Sequence, residues 1–283
     1  MELGRLTQGR PHSYFRPLIP AADFGLRAAD QRRVPFRPQP AARSPARSAF
    51  RPPAPLPVTA PTTDFLASVP LFSGLDSSDR QRFLELTRER TYPKGSVILF
   101  ENDPGDSLYI VRSGRVKVVL IGEDGREIIL AVLGPGDHFG EQSLIDQQPR
   151  SATVIAMEDA SLLILHRDDF RRRVESSPAI AWALLTEMSR RLRHADEKIG
   201  GLVLLDVPGR IARLLLDLAA ENDGKTIEKA LTHQTIAQMI GASRETVSRS
   251  MKDFQDAGWI GVERRRISVT DEAALKRLAQ LRV

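Results

Sequence analysis

Two short runs of the sequence, FGEQS and PRSATV, contain residue types that can bind an anion. The candidate binding residues are Gly140, Glu141, Gln142, Ser143, Arg150 and Ser151. Backbone N–H groups that follow the glycine open a short predicted helix and can face an anion. Arg150 adds a guanidinium and Ser151 a hydroxyl, which together suit one phosphate, and Glu141 can accept from a hydroxyl group. The alternative is an internal pair between Arg150 and Glu141 that binds nothing.

A third run, THQTIAQMIGASRETVSRSMKDF, has the spacing of a helix-turn-helix. Ile236 and Ile240 fall on the inner face of the first helix, Gly241 occupies the tight turn, and Val247 and Met251 fall on the inner face of the second. Ser250 occupies a position that is usually a buried aliphatic. Either Met251 covers that gap or the second helix packs less firmly.

The polar side chains of this unit are suited to double-stranded DNA. The candidate DNA-binding residues are Thr232, His233, Gln234, Ser243, Arg244, Glu245 and Arg249. Ser243 is placed to cap the second helix. Because an arginine can donate two hydrogen bonds to guanine and a glutamate can accept one from cytosine, Arg244, Glu245 and Arg249 can read base edges. The alternative is a surface helix with an ordinary Glu–Arg pair.

The segment WIGVERRRISVTD predicts a two-stranded wing after the second helix. Its loop carries Arg264, Arg265 and Arg266. Such a cluster suits DNA phosphates, which set affinity and register but carry no sequence information.

Composition excludes several classes of chemistry. The chain has no Cys and only five His, so thiolate metal sites, iron–sulfur clusters and disulfides are excluded, and no metal site is expected. No P-loop, nucleophile elbow or metal-binding His pair occurs, so an enzyme is not expected. His138 and His194 are expected to be packing or surface residues. No apolar run approaches about 18 residues and no signal-peptide core opens the chain, which predicts a cytoplasmic protein that does not contact a membrane.

The elements that must position these residues differ along the chain. Residues 64–177 begin with a helical stretch from Ser78 to Arg88 and continue as short apolar runs separated by turns such as NDPGD, GEDG and GPGD. Even spacing of this kind predicts a compact antiparallel barrel or sandwich. Residues 206–283 return to helical periodicity after the Pro- and Gly-containing hinge DVPGR, with a hairpin considered within residues 220–230.

Residues 178–205 lie between these regions and predict one long helix. Apolar residues recur with alternating spacings of four and three at Ala181, Leu185, Met188, Leu192, Ala195, Ile199 and Leu202. This heptad seam predicts a helix that pairs with another helix, most simply in a parallel homodimer. The alternative is a helix that lies on its own β-roll.

Residues 1–63 are rich in Arg, Pro and Ala. They contain ten Arg, three acidic residues and twelve of the nineteen Pro, and we expect a disordered tail. The whole chain has a net charge of +5, whereas residues 1–63 alone have a net charge of +7. The remaining residues are therefore slightly acidic, and DNA affinity is expected to come from the few arginines named above. A basic arm for DNA or an acidic partner is one reading of the tail, and a start codon placed too early is another.

Several motifs in the same order resemble the CRP/FNR family of bacterial transcription factors, in particular its cyclic-AMP receptor branch. The likeness covers about residues 66–270 and rests on GDSLYIVRSG, PGDHFGEQSL with PRSATV, SRRLRHADEKIGGLVLLDVPGRIARLLLDLA, and SRETVSR. The resemblance implies an α+β fold with a cyclic-nucleotide-binding β-roll, a dimerisation helix and a winged helix-turn-helix. It also implies a homodimer that regulates transcription, a palindromic DNA site with half-sites like TGTGA, and RNA polymerase as a partner.

Carried over by position, the resemblance places a cyclic phosphate on Gly140, Arg150 and Ser151, and a ribose hydroxyl on Glu141. The family's purine contacts are adjacent Thr and Ser on the dimerisation helix, and here Ala195 and Asp196 stand in their place. Asp196 can accept from an exocyclic amine or pair with Arg191 or Arg193 across the dimer. Gln142 replaces a usually apolar residue, and Asn102 stands where glycine is common.

These departures leave three effector states open. Either a cyclic mononucleotide such as cAMP or cGMP binds in an altered way, or a cyclic dinucleotide such as cyclic di-GMP or another effector binds, or no ligand binds. Function has a second candidate besides the DNA-binding regulator, namely a cyclic-nucleotide-binding module that acts through protein contacts. In the preferred mechanism the effector changes the long helix and reorients the recognition helices about the hinge at residues 206–209.

Overall fold

The computed structural model describes residues 63–221, 224–227, 231–263 and 266–280. The tail that we expect to be disordered therefore lies outside the described residues, apart from Thr63, and so do Arg264 and Arg265. The helices are α1 Thr63–Ser68, α2 Ser77–Leu86, α3 Gln142–Ile145, α4 Arg167–Ser176, α5 Pro178–Leu204, α6 Val207–Ala220, α7 His233–Ile240, α8 Arg244–Asp256 and α9 Glu272–Ala279, with a 3-10 turn at Pro70–Phe72. The strands are β1 Thr87–Tyr92, β2 Val97–Leu99, β3 Ser107–Ser113, β4 Val116–Ile121, β5 Glu127–Leu133, β6 His138–Phe139, β7 Thr153–Ala156, β8 Ala160–His166, β9 Thr226–Ile227, β10 Ile260–Glu263 and β11 Arg266–Val269.

The first eight strands form the predicted antiparallel β-roll. One sheet has the order β1-β8-β3-β6 and the other β2-β7-β4-β5. Their inward side chains form a buried apolar core that includes Val111, Val116, Val154 and Leu162. The α+β fold class expected from the sequence is confirmed.

Strand β1 differs from the sequence expectation. The predicted helical stretch ended at Arg88, but α2 ends at Leu86 and the chain is extended from Thr87. The segment TRERTY pairs along its whole length with β8. The polar composition of this segment did not predict a strand. An antiparallel edge strand needs apolar side chains on one face only, and the outer face of β1 is solvated.

Helices pack on the face of the β1-β8-β3-β6 sheet that carries Leu108, and there they form a further apolar cluster. The rings of Phe72 and Phe83 lie 4.1 Å apart between centroids, and both side chains are buried. The first turns of α5 join this cluster through Ile180 and Leu184. The start of the long helix is therefore fixed to the β-roll by apolar burial, which contributes roughly 25 cal/mol per Å² of apolar surface.

Beyond its first two turns, α5 exposes the apolar seam that the sequence predicted. Leu185 is 62% exposed, Leu192 64% and Ile199 59%. A monomer that leaves such a row of large side chains in water presents a surface for another protein. The seam itself is therefore not buried on the β-roll of the same chain, although Arg191 and Lys198 on another side of α5 contact that β-roll.

A two-residue break separates α5 from the C-terminal domain. Leu205 is extended, and the Asp206 carboxylate caps α6 by accepting from the Gly209 N–H at 2.9 Å. A Cβ on Gly209 would lie 2.8 Å from the carbonyl oxygen of Leu278, so a residue without a side chain is needed where α6 meets α9. The start of α6 is consequently fixed to its own domain.

The C-terminal domain surrounds a second apolar core with α6 to α9 on one side and a small sheet of order β10-β11-β9 on the other. Strand β9, in the segment considered for a hairpin, pairs with β11 and extends the wing to three strands. Ser250 is buried beside Met251, which is only 1% exposed, so α8 packs closely despite the small side chain. No helix in the described ranges has the length and apolar character required to cross a membrane.

Candidate functional sites

Gly140 begins the first candidate site, immediately after β6. Its φ is +87°, and a Cβ there would lie 2.7 Å from Nη1 of Arg150. Both features require glycine. The backbone can therefore pass directly against the arginine, which brings the two predicted runs FGEQS and PRSATV together.

Arg150 lies almost entirely inside the β-roll, at 4% exposure. Its Nη1 donates to the carbonyl oxygen of Gly140 at 2.8 Å, and its Nη2 donates to that of Ser107 at 2.9 Å. Burial lowers the pKa of Arg150, although an arginine stays cationic in proteins. The buried Nε has no hydrogen-bond partner in the described part of the chain. A buried cation with an unused donor is a chemically reasonable place for an anion.

Glu141 pairs with Arg191 rather than with Arg150. Its Oε1 accepts from Nη1 of Arg191 at 2.9 Å, whereas the alternative internal pair with Arg150 is not formed. Burial raises the pKa of the Glu141 carboxyl, and the nearby Arg191 opposes that shift. The second oxygen, Oε2, is buried without a partner among the described residues. An acceptor left free in this position can receive a ligand hydroxyl.

Arg191 is a site residue that sequence reasoning did not select. Besides Glu141, its guanidinium donates to the carbonyl oxygen of His138 at 2.7 Å and to Oε1 of Glu187 at 2.8 Å. Partial burial would raise the pKa of Glu187, but hydrogen bonds from Arg190 and Arg191 outweigh it and lower that pKa to about 2. The spacing of Glu187 and Arg191, four residues on one helix, was the available signal.

The remaining predicted residues of the first site lie at its surface or behind it. Gln142 and Ser151 are exposed, and Ser151 Oγ donates to Gln142 Oε1 at 2.8 Å. Ser143 is buried. Ala195 and Asp196 are exposed on α5 and are not among the hydrogen-bond partners of Arg150 and Glu141 in their own chain. The structure thus brings Gly140, Glu141, Gln142, Ser143, Arg150 and Ser151 together and leaves Ala195 and Asp196 apart.

The second candidate site is the helix-turn-helix formed by α7 and α8. Thr232 caps α7 by accepting from the Thr235 N–H at 3.0 Å, and Ser243 caps α8 by accepting from the Thr246 N–H at 3.1 Å. Gly241 ends α7 in the left-handed conformation, as the turn requires. Local signals of the sequence therefore specified this unit residue by residue.

The polar face of this unit is open to solvent. Arg244, Glu245 and Arg249 are exposed at and after the start of α8, and Thr232, His233 and Gln234 are exposed at the start of α7. His233 Nδ1 lies 2.7 Å from Ser248 Oγ, which joins the two helix starts. A backbone hydrogen bond at the start of α8, together with Ser243, lowers the pKa of Glu245. Arg266, the described residue of the wing arginines, is also exposed.

Helix α7 also contacts the β-roll. It packs against β5, and Gln238 Nε2 donates to Glu127 Oε2 at 3.0 Å. Lys117 forms an ion pair with the same carboxylate. On α5, Lys198 Nζ donates to the carbonyl oxygen of Leu130, and burial lowers the pKa of this lysine. Strand β5 therefore contacts both the long helix α5 and the helix-turn-helix.

Comparison with known proteins places both candidate sites within matched family models. Residues 89–177 match the cyclic nucleotide-binding domain, and residues 209–278 match the Crp-like helix-turn-helix domain. Within the described ranges, no group of three or more His, Asp or Glu side chains is arranged to hold a metal ion.

Curated relatives and solved structures agree with these matches. The CRP-like cAMP-activated global transcriptional regulator of Mycobacterium tuberculosis is 35% identical over 222 residues, which cover 77% of this chain and 99% of that protein. The cyclic AMP receptor protein of Thermus thermophilus is 36% identical, with coverage of 74% and 96%. The c-di-GMP responsive global regulator CLP of Xanthomonas campestris has a TM-score of 0.61 and 27% identity, with coverage of 69% and 99%.

Proposed function

The chain belongs to the CRP/FNR family of DNA-binding transcription regulators, and on that premise we propose that it acts as a homodimer controlled by a cyclic nucleotide in the β-roll. The observation that carries the effector proposal is the pair of unused polar atoms, Arg150 Nε and Glu141 Oε2, in adjacent buried side chains. One is a donor for a phosphate oxygen and the other an acceptor for a ribose hydroxyl.

The residues present fit a phosphate-bearing ligand. Arg150 supplies the buried positive charge, and Ser151 supplies a hydroxyl at the surface of the site once its bond to Gln142 rearranges. The Mycobacterium relative is named as cAMP-activated and the Xanthomonas protein as c-di-GMP responsive, so both effector classes occur among similar proteins. For this chain, cAMP, cGMP and cyclic di-GMP are the effectors to test.

Isothermal titration calorimetry of the purified full-length protein with each of these three compounds tests the proposal. We expect saturable binding of at least one compound, and Arg150→Gln should remove it. Glu175→Gln, at an exposed residue of α4, serves as a matched control that leaves binding intact. Absence of heat with all three compounds would contradict the cyclic-nucleotide proposal.

Homodimerisation follows from the exposed seam of α5. Burying Leu185, Leu192 and Ile199 against the same residues of a second copy removes three large apolar side chains from water. Leu192→Glu should convert the dimer to a monomer, as measured by light scattering after gel filtration. The same substitution at Leu120, an exposed apolar residue on the β-roll, should leave the dimer intact.

For DNA, we propose that Arg244, Glu245 and Arg249 read a half-site like TGTGA and that the wing arginines contact phosphates. A two-fold dimer places the two recognition helices in successive major grooves, about 34 Å apart, which requires a palindromic site. Selection from a random oligonucleotide pool should return such palindromes. RNA polymerase is the expected partner of the DNA-bound dimer, in the cytoplasm.

Control by an effector requires two conformations of the dimer. A ligand shifts their populations only if it binds them with different affinity. The break between α5 and α6 at Leu205–Asp206 is the place where such conformations can differ. Arg191, which joins the long helix to the β-roll beside the proposed effector, connects ligand binding to that helix.

A further inference from the structure

Asp196 carries a carboxylate on α5 that is unengaged in the described part of its own chain. Its side chain is exposed. Neither arginine considered as its partner is available within the chain, since Arg191 bonds to Glu141 and Glu187, and Arg193 donates to Ser189 Oγ at 2.9 Å. The neighbouring Ala195 offers no hydrogen-bonding side chain. Asp196 is therefore an acceptor that this stretch of helix can present to a ligand.

Helix geometry determines which site this carboxylate can reach. Glu187 and Arg191 occupy the side of α5 that faces the β-roll of the same chain. Asp196 lies five residues beyond Arg191, about 7.5 Å further along the axis and about 140° around it. The exposed seam residues Leu192 and Ile199 lie between these two flanks. Asp196 consequently faces away from the effector site of its own subunit.

Two-fold symmetry can bring Asp196 of one subunit close to the effector site of the other. When two parallel helices pair through the seam about a two-fold axis, opposite flanks of the two helices lie on the same side of the pair. The flank with Arg191 then shares a side with the opposite flank of the second helix, which carries Asp196. In such a pair, the carboxylate of the second copy would lie on the side of the helices that faces Glu141 and Arg150, about 7.5 Å beyond Arg191 along the axis.

We propose that the effector contains guanine and that Asp196 of the partner subunit reads that base. This inference rests on the proposed cyclic-nucleotide function and names its base. An ionised carboxylate only accepts hydrogen bonds. Guanine presents two adjacent donors, N1–H and the exocyclic N2–H₂, which match the two carboxylate oxygens. Adenine presents one donor beside an acceptor nitrogen, so one carboxylate oxygen would face a lone pair.

The experiment compares bases at constant phosphate chemistry. Dissociation constants are measured by calorimetry for cGMP, cAMP, cyclic di-GMP and cyclic di-AMP on the full-length dimer. We expect the guanine compound to bind about tenfold or more tightly than its adenine counterpart, as for a good bidentate base contact. The mono- and dinucleotide pairs identify which of the two guanine compounds is the effector.

Asp196→Asn supplies the decisive variant, because an amide donates and accepts and therefore suits adenine. We expect the guanine preference to disappear and adenine to bind as tightly or more tightly. Glu197→Gln removes the same charge from the neighbouring exposed position and should keep the guanine preference. Light scattering and circular dichroism on each variant establish that the dimer is folded.

A mixed dimer tests the contribution across the subunit interface. In the first mixed dimer, one chain carries Arg150→Gln and the other carries Asp196→Asn. The effector site with native Arg150 then faces native Asp196 of the other chain, and the guanine preference should remain. When both substitutions are in one chain and the other is native, the preference should disappear. The opposite pattern would overturn the reading across subunits.

The failures of the two proposals are distinguishable. Equal or tighter binding of adenine compounds by the native protein overturns the guanine inference and leaves cyclic-nucleotide control in place. Absence of binding by all four compounds overturns both.

Discussion

Arg191 on the long helix donates to Glu141 in the β-roll across fifty residues of sequence, with Nη1 and Oε1 2.9 Å apart. Glu141 is buried, and the same guanidinium also holds the His138 carbonyl oxygen. This one side chain therefore satisfies a buried charge and fixes α5 beside the proposed effector site.

Replacing Arg191 by Met should destabilise the protein because it leaves the buried Glu141 carboxylate unpaired. We expect a loss of about 1–3 kcal/mol, below the value for a fully buried pair because Arg191 is 27% exposed. Urea unfolding with intrinsic fluorescence measures it. Adding Glu141→Gln to Arg191→Met should restore part of the loss. A loss below about 0.5 kcal/mol would show that Glu141 is neutral or hydrated.

His138 predicts a component of acid sensitivity. Burial lowers its pKa from 6.5 to about 4. The folded state then binds fewer protons than the unfolded state between these values, so stability falls as the pH decreases from about 6.5 to about 4. The full effect is of order 3 kcal/mol. Unfolding midpoints at pH 7, 6 and 5 should shift less in His138→Gln than in the native protein.

Glu187 adds a separate component at lower pH. Its pKa is lowered from 4.5 to about 2, so its contribution is present above about 4.5 and is lost as the pH falls toward 2. Measurements at pH 5 and above exclude the Glu187 component, and the comparison with His138→Gln separates the histidine from Glu141, whose pKa is raised by burial. An identical pH dependence in His138→Gln and the native protein would refute the assignment.

Arg249 and the wing arginines should affect DNA binding differently. Arg249→Ala should cost about 1–3 kcal/mol on the preferred site and relax specificity at one base pair. Arg266→Ser should weaken binding of all sequences and reduce the salt slope by about one unit for each half-site. Fluorescence anisotropy at several salt concentrations, with specific and scrambled duplexes, separates them. Equal losses on both duplexes for Arg249→Ala would rule out base reading.

The contact between α7 and β5 should be sensitive to charge. Gln238→Glu places a second carboxylate where an amide now donates to Glu127, and the two negative charges repel. We expect faster backbone hydrogen exchange in α7 and β5. Gln255→Glu, at an exposed position of α8, adds the same charge without that effect. Unchanged exchange in Gln238→Glu would mean that the contact contributes no local stability.

Local signals predicted the elements well wherever one segment contains all the information. Strand β3 follows the predicted turn NDPGD, strand β5 lies between the predicted turns GEDG and GPGD, and the caps Thr232 and Ser243 fix the helix-turn-helix. The family assignment made from several ordered motifs is also confirmed.

What escaped prediction depends on segments that are distant in sequence. The polar strand β1 is stable because β8 pairs with it, and Arg191 finds Glu141 through the packing of α5 on the β-roll. The contact of Gln238 with Glu127 joins residues 111 positions apart. Periodicity reports which face of an element is apolar, but it does not report which distant polar group that element will meet.

The short break between α5 and α6 limits how the C-terminal domain can travel. Asp206 already caps α6, and Gly209 is held against the Leu278 carbonyl, so freedom is confined to the bonds around Leu205. Two residues span at most about 7 Å. The helix-turn-helix can therefore rotate about Leu205, but it must stay close to the end of α5. In the proposed dimer, a small rotation around Leu205 would change the spacing of the two recognition helices.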